Sequence, residues 1–194
     1  HTLSVTCTPT NTSLYSAVSG TVTITVTPKP ITVRADSKTK QYGDSDPSLT
    51  SQIISGSLES GDSLSGSLTR NSGENVGLYS ITQGTLGNSD YNITFIGDTL
   101  TVTAIQLTVV ITAPDKQYDR DTDTELTIGT LSGVISADSG LVTIDATKIT
   151  GSFSTATSAN GKTVTLAITS GVLTGSKSGN YTLATPSNPT ASIT

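Results

Sequence analysis

The sequence predicts a mainly β protein: two small tandem modules of mostly antiparallel, sandwich-like strands, preceded by one extra hairpin. Three observations carry this. Apolar residues alternate with Thr at period 2 in several runs, the pattern of strands with one buried and one wet face. Gly, Asn, Asp and Ser interrupt these runs at roughly 8–12-residue intervals, the spacing of meanders and sandwiches. No stretch shows a convincing apolar stripe at helical period.

Residues 3–8 and 21–27 read as two strands joined by a turn-rich segment. In the second, Val22, Ile24 and Val26 share one face and Thr fills the other, where a β-branched, half-polar side chain suits solvent. Residues 1–28 are too few to bury a core alone, and are expected to be the closing hairpin of a preceding domain. Ile31-Thr32-Val33 opens the next strand. Residues 47–61 admit one short helix, capped by Ser48 or Thr50 and weakened by Gly56. Residues 99–103, 107–112, 163–169 and 191–194 are further alternating strands.

An internal repeat organises the rest. Lys40-Gln41-Tyr42-Gly43-Asp44-Ser45-Asp46 is echoed by Lys116-Gln117-Tyr118-Asp119-Arg120-Asp121-Thr122, and Asp90-Tyr91-Asn92-Ile93-Thr94 by Asn180-Tyr181-Thr182-Leu183. The second copy is longer between its tyrosines, 63 residues from Tyr118 to Tyr181 against 49 from Tyr42 to Tyr91. Modules are therefore expected at 29–104 and 105–194. The first junction, Pro28-Lys29-Pro30, is stiffened by proline and the second has almost no spare residues.

Composition narrows the function. One His stands at the chain end, at His1, and the single Cys forms no internal disulfide or thiolate cluster. Ten Lys and Arg are scattered against fifteen Asp and Glu, for a net charge of −5, so no basic stripe tracks nucleic acid. No apolar run reaches the ~18–20 residues of a membrane span, and membrane insertion of this segment is not expected. The first residues lack the basic and apolar regions of a signal peptide, so a secreted protein would carry this chain as an internal fragment.

Residues 31–103 resemble the bacterial MBG ("mostly β-grasp") domain. The resemblance rests on Lys40-Gln41-Tyr42-Gly43-Asp44-Ser45-Asp46-Pro47, Gly61-Asp62, Leu68-Thr69-Arg70, Gly73-Glu74-Asn75-Val76-Gly77-Leu78-Tyr79, Ile81-Thr82-Gln83-Gly84 and Leu100-Thr101-Val102-Thr103. Residues 106–194 resemble the YDG domain through Asp115-Lys116-Gln117-Tyr118-Asp119, Gly129-Thr130-Leu131-Ser132-Gly133, Gly161-Lys162-Thr163-Val164 and Gly179-Asn180-Tyr181-Thr182-Leu183. Arg120 departs from the family's glycine after Tyr-Asp. The N-terminal residues are similar to the last hairpin of a bacterial immunoglobulin-like repeat. These resemblances imply β-grasp-like modules repeated in large bacterial surface proteins, adhesin-like in context, with no catalytic set to carry over.

Three kinds of site were weighed on the residues themselves. Asp119, Asp121 and Asp123, with Glu125 close by, place alternate carboxylates in a loop, a donor set for Ca²⁺; the spacing lacks the glycine and terminal acid of an EF-hand, and turn capping by Asp is the plainer reading. Tyr42, Tyr79, Tyr91, Tyr118 and Tyr181 offer sugar-stacking rings, but four recur at matched repeat positions, as core or corner tyrosines whose hydroxyls find a backbone partner do. Lys38, Lys116, Lys148 or Lys162 are candidates for an isopeptide cross-link to Asn or Asp, but the assisting acids available, Glu59, Glu74 and Glu125, are few and sit in turn-like segments, so solvated lysines are the plainer reading. No apolar setting marks a carboxylate as a general acid and no Gly-x-Ser-x-Gly elbow has a histidine partner, so no enzyme activity is expected.

The combined expectation is a monomeric spacer or stalk segment of an extracellular, adhesin-like bacterial surface protein. Its partners are neighbouring modules of the same chain, and it needs no cofactor unless Ca²⁺ fills the Asp loop. The alternative is a module that itself contacts a glycan or host protein.

Overall fold

The computed structural model describes all residues, His1–Thr194. The strands in chain order begin β1 (Thr2–Cys7), β2 (Val18–Thr23), β3 (Lys29–Ala35), β4 (Lys38–Gln41), β5 (Ser51–Ser55), β6 (Thr69–Arg70), β7 (Gly77–Thr82), β8 (Tyr91–Ile96) and β9 (Asp98–Thr103). They continue with β10 (Ile105–Leu107), β11 (Ile111–Thr112), β12 (Asp123–Thr124), β13 (Thr127–Ile128), β14 (Thr143–Ile144), β15 (Ile149–Phe153), β16 (Ala159–Ile168), β17 (Leu173–Thr174), β18 (Tyr181–Leu183) and β19 (Thr190–Ile193). The only helical turns are three short 3₁₀ segments. Contacts group the chain into two units, one of His1–Asp36, Leu49–Thr69 and Thr82–Asp98, the other of Ser37–Ser48, Arg70–Ile81 and Thr99–Thr194.

In the first unit, β1 and β2 form an antiparallel hairpin in which Leu3 lies opposite Val22, Val5 opposite Gly20 and Cys7 opposite Val18. One face is thus apolar and the other is Thr and Ser, yet every residue of both strands is exposed. The second strand covers 18–23 rather than 21–27. Thr23 pairs with Thr2, and Ile24 N–H donates to the carbonyl of His1, the last acceptor on the partner strand.

The main sheet of this unit has the order β5-β3-β8, with β3 antiparallel to β5 and parallel to β8. Ile31, Val33 and Ala35 of β3 are buried and the residues between them are not, as period 2 demands. Ile31 and Val33 form a core with Tyr91 against Ile53, Leu58, Leu64, Leu86, Ile93 and Phe95. Each fully buried aliphatic contributes ~1.5–3 kcal/mol. The short helix expected within 47–61 is absent, and its place holds β5. Ile53 supplies the core, the Asp36 carboxylate accepts from Thr50 Oγ1 and Gln52 Nε2, and at Gly56 (φ 77°) a Cβ would stand 2.9 Å from the Pro30 carbonyl oxygen.

The second unit holds two four-stranded sheets, β4-β9-β7-β6 and β12-β15-β16-β19, with the two-stranded pairs β10-β18, β11-β13 and β14-β17. The alternating run expected as one strand over 107–112 is split between three partners. Leu107 pairs with Leu183, Thr108 bridges Ser132, and Ile111 pairs with Ile128. Phe153, Val164, Ala191 and Ile193 make one core, and Val109, Ile111 and Ile149 another. Gly151 is packed so closely that a Cβ would sit 2.8 Å from Leu126 and 2.9 Å from Val164. A single residue, Ala104, separates β9 from β10.

Both repeats share a topology. The opening strand runs parallel to the strand that begins at the later tyrosine, pairing Lys29 with Tyr91 and Ile105 with Tyr181. The motif lysine lies parallel to the closing strand, Lys40 opposite Val102 and Lys116 opposite Ile193.

Candidate functional site

The repeated Lys-Gln-Tyr motif places a lysine at the centre of an acidic loop in each module. Lys40 lies on the inward face of β4 and is 7% exposed. Its Nζ donates to Asp46 Oδ1 (2.7 Å), Glu74 Oε2 (2.5 Å) and the Asp44 carbonyl (3.1 Å). Arg70 grips the same acids, with Nε and Nη2 on the two oxygens of Asp46 (2.6 and 3.0 Å) and Nη2 on Glu74 (2.5 Å). Its Nη1 donates to the carbonyls of Asn71 and Gly73, and the guanidinium stands 5.3 Å from the Tyr79 ring centre.

Two cations against two anions keep all four groups charged. Hydrogen bonds from Arg70 and then Lys40 hold the Asp46 carboxyl at about 2, and Lys40 and Arg70 lower that of Glu74. Burial works to lower the Lys40 pKa, but its bonds to Asp46 and Glu74 outweigh burial and raise it. That state opposes amide cross-linking, which needs a neutral amine and a protonated acid.

In the second module, Lys116 Nζ donates to the carbonyls of Asp121 (3.2 Å) and Asp123 (2.8 Å) and pairs with Asp119 Oδ2 (2.9 Å). Asp119 Oδ1 accepts from Asp121 N–H and Asp121 Oδ1 from Asp123 N–H. The Asp119 carboxyl is lowered by Lys116 and then by the Asp121 N–H. The sequence-predicted Asp119, Asp121 and Asp123 thus share one loop, with a lysine ammonium on its carbonyls. No three His, Cys, Asp or Glu side chains converge anywhere as a metal cluster. Arg120 takes φ 70°, so the turn is retained in the left-handed region without the family's glycine.

Among the other isopeptide candidates, Lys162 donates to the carbonyls of Thr155 (2.5 Å) and Thr157 (2.7 Å) and to Thr155 Oγ1 (2.9 Å).

The tyrosines divide. Tyr91 and Tyr181 are buried, but their hydroxyls donate to carboxylates, Asp62 Oδ2 (2.6 Å) and Asp138 Oδ2 (2.7 Å), and not to the backbone partner that the sequence predicts. Glu59 N–H donates to the Tyr91 hydroxyl oxygen. Tyr79 is half-buried and donates to the Asn75 carbonyl (2.6 Å), whereas Tyr118 is 55% exposed.

Inside the second unit, sequence reasoning missed a seam. Tyr42 of the first motif meets Tyr181 edge-on, with ring centres 5.7 Å apart at 77°. The buried Asp138 carboxylate accepts from the Tyr181 hydroxyl and acts electrostatically on the Tyr42 hydroxyl. Burial and then Asp138 push the Tyr181 phenol up to about 12, and the same causes raise Tyr42. Asn180, 4% exposed, accepts from Val76 N–H (2.9 Å) and donates to Asn75 Oδ1 (3.1 Å). A Cβ on Gly43 (φ 84°) would stand 3.2 Å from Ile135. One signal was available: Asp62 lies 20 residues after Tyr42, and Asp138 lies 20 after Tyr118.

No catalytic constellation accompanies this. A surface depression of about 670 Å³, lined by Leu166, Ile168, Val172, Tyr181, Leu183 and Pro186 among others, contains no charged side chain.

No curated protein and no solved structure matches the chain significantly. Residues 31–101 match the family model of the MBG domain (YGX type), and residues 101–190 that of the YDG domain. Both are non-catalytic structural modules typical of bacterial extracellular surface proteins. The chain carries an MBG domain followed in tandem by a YDG domain.

Proposed function

We propose that this chain is a spacer segment of a bacterial extracellular surface protein, holding a distal binding domain away from the cell. The observation that carries this is the seam. A spacer transmits position through its joints, and here the motif loop of one module is held to the next by Tyr42, Asn75, Val76, Asp138, Asn180 and Tyr181. The single-residue connection at Ala104 supports a stiff joint, since it leaves no slack.

In this reading the chain divides at 1–28, 29–104 and 105–194. The amphipathic ribbon of β1 and β2, with its apolar face uncovered, supports the origin of the first segment as the closing hairpin of an immunoglobulin-like repeat. The Asp119–Asp123 loop is closed by Lys116, which stands where a cation would be needed. The chain is monomeric and its partners are adjoining modules.

The adhesive alternative, direct contact with a glycan or host protein, draws less support. Of the six tyrosines only Tyr15 and Tyr118 are strongly exposed, at 66% and 55%, and they belong to different units. Screening the chain against arrayed glycans and matrix proteins separates the two readings. The spacer reading expects no saturable binding. Saturable binding to one glycan or protein replaces it with the adhesive one.

A further inference from the structure

We infer that the loop around Tyr118 is a docking surface for a further module of the same plan, which presents its tyrosine–aspartate pole. The two motif loops are built alike. Tyr42 N–H donates to the Thr103 carbonyl (2.8 Å), and Tyr118 N–H to the Thr194 carbonyl (2.8 Å). Each loop closes on its own lysine, and each has one left-handed residue, Gly43 or Arg120. Their surroundings differ: Tyr42 is 7% exposed and Tyr118 is 55% exposed.

The groups that cover Tyr42 come from the following module. They are the Tyr181 ring edge-on to Tyr42, Val142 in the same buried cluster, and Ile135 beside Gly43, with the Asp138 carboxylate held by Tyr181. The covering pole is a repeated feature too. In each module a tyrosine at the head of the strand parallel to the opening strand donates to an aspartate, Tyr91 to Asp62 and Tyr181 to Asp138. Every module therefore carries a tyrosine loop beside the end of its last strand and a tyrosine–aspartate pole at its first. One loop meets one pole within this chain, and the Tyr118 loop is a half-seam. Arg120, also exposed, adds a cation to a surface whose occupant brings a carboxylate.

The inference deepens the spacer reading and rests on it only for modules following in series; its test reads Tyr118 alone and fails separately from the binding screen. The chain is extended after Thr194 by a second copy of residues 104–194, any added copy carrying Tyr118→Phe so that the original Tyr118 alone is read, and nitration of each tyrosine by tetranitromethane is followed by mass spectrometry. Tyr118 is expected to be nitrated about fivefold or more slowly than in the unextended chain, with Tyr15 unchanged as reference. Low nitration of the copy's own Tyr181 reports that the added module has folded. Where it has not, residues 29–194 are added instead, offering the Tyr91–Asp62 pole. An unchanged Tyr118 rate beside a folded added module overturns the proposal. Protection of Tyr118 that grows with the concentration of the unextended chain also overturns it, since the occupant is then a second copy.

Discussion

Asn180→Ala is the sharpest perturbation of the seam. The side chain is 4% exposed and makes two hydrogen bonds, accepting from Val76 N–H at 2.9 Å and donating to Asn75 Oδ1 at 3.1 Å. A net hydrogen bond is worth ~1 kcal/mol, and stranding the part-buried Val76 donor adds roughly another 1, for an expected loss of ~2–3 kcal/mol. For a chain of this size that lowers Tm by roughly 5–10 °C. Urea unfolding measures the energy, and hydrogen exchange at the Val76 amide reads the broken bond directly. A double-mutant cycle with Asn75→Ala isolates the amide–amide bond, with a coupling of ~0.5–1 kcal/mol. An Asn180→Ala chain within about 0.5 kcal/mol of the parent, with unchanged Val76 protection, refutes the reasoning.

Four further outcomes are expected. Tyr181→Phe removes the hydroxyl from buried Asp138 and should cost ~1.5–3 kcal/mol in urea unfolding, whereas Tyr118→Phe should change little. Asp46, with a folded pKa of about 2 against 3.8, contributes stability that is full above about pH 4 and lost as pH falls toward 2. Linkage caps the effect at ~2 kcal/mol, halved to ~1 by screening at a side chain 41% exposed; if Asp46→Asn leaves the acid limb unchanged, the assignment fails. Arg120→Gly relieves the left-handed backbone at φ 70° and should stabilise by ~0.5–1 kcal/mol; a loss in the same unfolding assay would count against strain there. Thermal unfolding of chelated protein with and without millimolar Ca²⁺ should agree within about 1 °C, and a rise of several degrees abolished by Asp121→Ala would restore the calcium reading.

What the sequence made legible follows from the range over which its signals act. Period-2 alternation is local, so β3, β9, β16 and β19 stood out within a residue or two, apart from the longer N-terminal reach of β16. Where the partner changes mid-run, as between Leu107, Thr108 and Ile111, alternation persists while the strand does not. Ser51–Ser55 was obscured for a related reason. Its single inward Ile53 carries no period, and only pairing with β3 makes it a strand. The repeat positions of the matched tyrosines predict core, which holds for Tyr42, Tyr91 and Tyr181 but not for Tyr118. Burial of Tyr42 depends on Asp138 and Tyr181, well over 90 residues away along the chain, and no local pattern encodes such a neighbour.

The acidic loops show how a charge pattern can mislead in the same way. Alternating carboxylates suggest a cation, and each loop does have one, supplied by the chain itself three to six residues before a loop aspartate that it pairs with. Lys40 answers Asp46, and Lys116 answers Asp119. A covalently tethered ammonium needs no ion from solution, and it organises carbonyls as well as carboxylates, as at Asp44, Asp121 and Asp123. In the first module this hub reaches further. Arg70 and Glu74 extend it into the loop that ends at Asn75 and Val76, the residues that hold Asn180. The lysine of the repeated motif therefore sits at the root of the seam: it shapes the tyrosine loop on one side, and through Glu74 it steadies the strand entry that grips the next module.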